Sequence, residues 1–407
     1  MSKKKKYSTQ VMKQTRAQVD RNALLRFQQA CDLMVGPGHF EKLTILCHKR
    51  LLRNRYAAVK LKIRGVGLND EAGLLYQEIF TEHMNKMTCT TAIGEEMPLT
   101  LYLREGLGLI YYVDAMRNEG LYYVNQLVPA FEPYDINGDL ITAPLAKLIF
   151  LLHRFSIIVS DWSKKLFSYS VKTLVLYTEN GETNHVSAEL QKLETCTVTF
   201  ENAAREVMRI GWTDLDGTIS YRCIDANRLG FTHPCECFIY IQRHALHRLE
   251  ERLGIIPGVI HHSIYELFGD QEFDYHQKGE QILLAYRLYE VKLGYLVCDL
   301  VDDKIVIRTF LFLTNDGTPE SKMLSRLTKL QLLDKEYLGI DTLEGFLSFN
   351  IGADERLSAL FTEAGCGGLL DLSEIKPYYM ADVKEKDPAK LLGYLMAKVE
   401  EGVLVEV

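Results

Sequence analysis

Apolar and polar positions set out three textures along the chain. Residues 8–34 hold no Pro or Gly, and Val11, Ala17, Leu24, Leu25, Phe27 and Ala30 are their apolar positions. That predicts a helix ended by Pro37-Gly38. A second helix is expected over about 39–62, closed by Gly65-Val-Gly67, and a third from Asp70 to about Met87. From Pro98 the texture changes. Leu99–Leu103, Leu107–Val113 and Leu121–Val128 are rich in Leu, Tyr and β-branched residues around glycine turns, and predict an antiparallel meander. Ala143–Trp162 predicts a buried helix with Pro144 in its first turn. Strands are expected at Lys172–Tyr177 and Cys196–Phe200, and residues 201–230 are mixed.

The third texture begins with the apolar run at Phe238, which passes into the charged segment Gln242-Arg-His-Ala-Leu-His-Arg-Leu-Glu-Glu-Arg-Leu253. On a helical wheel His247, Glu251, His244, Arg248 and Arg252 fall in one arc of about 140°. Ala245, Leu246, Leu249 and Leu253 take the side that would meet a core. A short helix over Ile260–Phe268 and a polar loop to Lys278-Gly279 follow, then strands Gln281–Tyr289, Leu293–Leu300 and Lys304–Leu313, with a hairpin at Asp302-Asp303. Thr318 and Pro319 open another helix as N-cap and first residue. Residues 340–407 add short helices, and Val403–Val407 is expected as an edge strand. The fold class expected is α+β. It comprises a basic helical region (1–95), a mixed domain (96–235), a helix–helix–antiparallel-sheet module (236–332) and a C-terminal helical tail (333–407).

Composition adds bounds. The 407 residues exceed one ordinary core, and 47% hydrophobic with 25% charged content is that of a globular protein. Nine cysteines, an odd number, argue against a disulfide framework and for a reducing compartment. Cys235-Glu-Cys237 with His233 is half a zinc site with no second pair to complete it, so no metal is expected. The apolar stretch Leu145–Ser160 is broken by Lys147, His153 and Arg154, and the basic N-terminus lacks the apolar core of a signal peptide. A cytoplasmic protein without a membrane partner is expected.

Charge is uneven. Residues 1–64 hold 16 Lys and Arg against Asp20, Asp32 and Glu41, within a chain of net charge −7. Lys49, Arg50, Arg53, Arg55, Lys60 and Lys62 form a candidate phosphate-contacting surface, with Tyr56 available for stacking. The same charges fit a solvated helix face, or contact with the acidic remainder of the molecule.

The segment from Tyr240 to Ile255, with its His-Ala-x-x-Arg-x-x-x-Arg pattern, and the strands ending in Lys-Ile-Val-Ile-Arg-Thr-Phe-Leu resemble the barnase/EndoU/colicin/RelE superfamily of small RNases. The resemblance covers about residues 236–332. Gln242-Arg243 stands where such proteins often carry Ser or Thr as helix cap. The resemblance implies a metal-independent endoribonuclease without cofactors, acting through the RNA 2′-hydroxyl in a toxin or anti-phage defence setting. RNA would be its partner, with an inhibitory protein as a second.

In that chemistry His244 would transfer protons, and Arg248 would grip the phosphate with Arg252 further along the helix. Arg287 or Arg308 would supply a second cation, and Thr309 would be the hydroxyl of the closing strand. The alternative is a nucleic-acid-binding, protein-binding or assembly module that keeps the fold without the chemistry. The sequence leaves the oligomeric state open.

Overall fold

The computed structural model describes residues 2–53, 56–65, 70–119, 127–135, 138–161, 165–171, 184–200, 203–214, 216–232, 236–269 and 272–405. Helices and strands are mixed, and contacts divide the chain into two compact units. The first is built from residues 1–156, 168–190 and 215–217, the second from 157–167, 191–214 and 218–407.

Most of the first unit is helical. α1 (Ser2–Val35) and α2 (Ile45–Arg53) precede strand β1 (Val59–Gly65), and α3 (Asp70–Lys86) follows it. The helix expected over 39–62 therefore stops at Arg53. Val59, Leu61 and Ile63 alternate with Lys60, Lys62 and Arg64, a period of two that only a strand can sort. β2 (Thr88–Thr90) and β3 (Glu96–Pro98) form a hairpin leading into α4 (Leu99–Leu101), a π-helical turn at Tyr102–Gly106 and α5 (Leu107–Glu119).

The expected meander over 99–113 is thus helical. Leu99, Leu101, Tyr102, Leu103, Leu107, Leu109, Ile110, Tyr112 and Val113 are all buried, so this helix is apolar nearly all round and shows no amphipathic period. Of the third meander segment, residues 121–126 lie outside the described residues, as does the expected strand 172–177. α6 (Asp139–Val159) covers most of the expected helix but starts four residues earlier, so Pro144 lies inside it rather than in its first turn. It is long and apolar enough to cross a membrane on length and composition alone, and Ile141, Leu148, Leu151, Leu152 and Phe155 are buried in protein. β4 (Leu166–Val171) and β5 (Asn184–Gln191) complete a three-stranded sheet in the order β1-β5-β4.

An eight-stranded sheet organises the second unit. It uses β6 (Thr195–Phe200), β7 (Ala203–Arg209), β10 (Cys223–Asp225), β11 (Glu236–Gln242), β12 (Tyr275–Lys278), β13 (Gln281–Leu288), β14 (Val291–Val301) and β15 (Lys304–Phe312). A separate hairpin joins β8 (Gly211–Thr213) to β9 (Ile219–Tyr221). The path runs β12-β13-β14-β15-β11-β7-β6, with β10 beside β11. The three strands expected over 281–313 pair antiparallel with their hairpin at Asp302-Asp303. The sheet as a whole is mixed rather than antiparallel, because β11 joins β15 in parallel.

β12 replaces part of the expected polar loop; its four residues are all exposed, so no buried period marks it. β6, β7 and β10 extend the same sheet upstream of residue 236, while the helices after residue 332 share its core.

α7 (Arg243–Leu253) lies on one face of this sheet. Ala245, Leu246, Leu249 and Leu253 are buried with Ile239, Ile241, Ile305 and Ile307 in one core. Burying each large aliphatic chain is worth about 1.5–3 kcal/mol. Gly254 ends α7 at φ +60°, where a Cβ would come within 2.5 Å of the Tyr379 ring. α8 (Pro257–Leu267), α9 (Pro319–Thr328), α10 (Leu332–Leu338), α11 (Leu343–Phe349) and α12 (Glu355–Glu363) also pack in this unit. The chain closes with α13 (Pro388–Val405), a helix where an edge strand over 403–407 was expected. Residues 406–407 lie outside the described residues.

Candidate functional site

α7 presents the face that its wheel predicts. His244 and His247 are exposed, and Arg248 and Arg252 are half-buried beside them. Partial burial, and then the charges of Arg248 and Arg252, hold His244 below its usual value. Arg248 is committed to Glu251 at 2.7 Å. Arg252 donates to the Phe310 carbonyl, which pins it to β15. Desolvation lowers its affinity for a proton, and Arg248 adds to the effect.

The other cations expected around His244 are engaged elsewhere. Arg287, on β13, pairs with Asp274 at 3.1 Å and lines a cleft of about 470 Å³ with His262, Ser263 and Glu266 of α8. Arg308, on β15, pairs with Asp299 at 2.8 Å and lies 4.6 Å over the Phe200 ring.

Phe200 belongs to a second small core with Val198, Val207 and Val306, separate from the core under α7. Strand alternation explains this: Ile305 and Ile307 turn to α7, Val306 and Arg308 to the opposite face. A bulge at Arg308, between the pairs Cys298–Ile307 and Val297–Thr309, then returns Phe310 and Phe312 to the α7 side. The bulge breaks the simple alternation that would group Arg308 with Phe310 and Phe312, and leaves Thr309 half-buried opposite Val297. His244 and Arg308 thus stand on opposite sides of the sheet.

The face bearing Arg308 carries a second constellation. Arg209, on β7, lies 3.5 Å from the centre of the Phe238 ring and 4.2 Å from that of Tyr221, with Glu194 at 2.7 Å from its guanidinium. Tyr240 of β11 is paired with Arg209 on one side and Val306 on the other, and packs against the Phe200 cluster. Burial raises its phenol above the usual value. Phe238 is 39% exposed and is paired with Lys304. Arg205 is exposed opposite Val198.

Arginines and aromatic rings therefore alternate across β7, β11 and β15. The signal for β11 was in the sequence, where Phe238 and Tyr240 interrupt the buried series Cys237, Ile239, Ile241. Arg205 and Arg209 were missed because no strand was recognised within 201–230.

In the first unit the nucleic-acid candidates fall on two elements rather than one helix. Lys49 and Arg53 are exposed on α2, and Arg50 is half-buried against the Met116 sulfur. Lys60 and Lys62 are exposed on β1, and Arg55 lies outside the described residues. The Tyr56 ring lies 5.7 Å from that of Tyr111, tilted by 46°. Among the described residues no group of three or more His, Cys, Asp or Glu is placed to hold a metal; His233 and Cys235 lie outside them.

No family model matches the chain, and neither a curated protein nor a solved structure matches it. The ribonuclease resemblance thus rests on α7 and the strands after it.

Proposed function

We propose that the second unit binds single-stranded RNA on the sheet face opposite α7 and does not cut it through His244. One observation carries this reading: the Arg209 guanidinium packed on the Phe238 and Tyr221 rings. Single-stranded RNA is held by splaying its bases onto aromatic or guanidinium planes while cations follow the phosphates. Phe238 and Tyr240 offer the planes, and Arg205 and Lys304 offer the charge. Cleavage would need proton transfer and a phosphate clamp at one place. Here Arg287 and Arg308 are tied to Asp274 and Asp299, and neither stands with His244.

The ribonuclease reading keeps one observation in its favour, an exposed His244 whose proton affinity is lowered toward the neutral form that a base requires. A single assay separates the two. RNA incubated with the protein in EDTA should stay uncut, be retained with an affinity that falls steeply as salt rises, and behave alike with His244→Ala. Cyclic phosphate ends that vanish in His244→Ala would overturn the binding reading in favour of an endoribonuclease, with its defence setting and inhibitory partner.

A further inference from the structure

We draw no further inference here: the strongest candidate, the cleft between α8 and the β13–β14 turn with Glu266, Glu272, Asp274 and Glu290 on its walls, is an acidic cluster whose Glu266 and Asp274 already pair with Arg222 and Arg287, and no second feature among the described residues points to a ligand there.

Discussion

His261 shows most directly how a single side chain ties stability to pH. It is fully buried on α8, 5.1 Å from the Trp212 ring. Burial, and then the neighbouring His262, press its value down to about 3, against a hydrogen bond with the Gly211 backbone that acts the other way. An unfolded histidine titrates near about 6.5. Below that the unfolded chain binds a proton that the native one refuses, so stability is complete above about pH 6.5 and falls as pH drops toward about 3. The slope reaches about 1.4 kcal/mol per pH unit.

Urea unfolding followed by tryptophan fluorescence should show lower stability at pH 5 than at pH 7.5, and His261→Gln should remove most of that difference. An equal pH dependence in both proteins would show that another group titrates. At this scale the sequence made α7 legible, because His244, His247, Arg248 and Arg252 repeat at the helical period on the exposed side of buried leucines. It could not assign Arg287 and Arg308 their partners. Asp274 and Asp299 are brought to them only by strand pairing and a bulge.

Elements bounded by specific caps were readable, and elements buried all round were not. Thr318 accepts from the Ser321 amide at 3.0 Å while donating to the Leu313 carbonyl at 2.5 Å, fully buried at the start of α9. That is the N-cap its position before Pro319 announces. Thr318→Ala should cost about 1–2 kcal/mol, read as a lower denaturation midpoint, whereas Thr318→Ser should recover most of it; no loss on Thr318→Ala would mean that the cap is dispensable.

α4 and α5 were hidden because leucines and tyrosines fill nearly every side of the helix, a run that period alone cannot tell from strands. β7 was hidden for the opposite reason. Val207 is its one fully buried residue, and Arg205 and Arg209 do not mark a strand until their partners on β6 and β11 are known.

At the level of the whole molecule, the chain is acidic overall, while Arg205, Arg209, Lys304 and Arg308 of the second unit are gathered on one sheet face. Net charge therefore gives no guide to the surface. Arg209, packed on the Phe238 and Tyr221 rings and paired with Glu194, is fixed by packing as well as by its carboxylate, and holds the half-exposed Phe238 ring in place.

The most direct measurement is the affinity of labelled single-stranded RNA for the intact protein and for Phe238→Ala and Tyr240→Ala, at one fixed salt concentration. Each substitution should lose about 1–3 kcal/mol, the worth of one stacked base, while His244→Ala binds as the parent does. Undiminished binding by both aromatic variants, or a loss confined to His244→Ala, would contradict the sheet-face account.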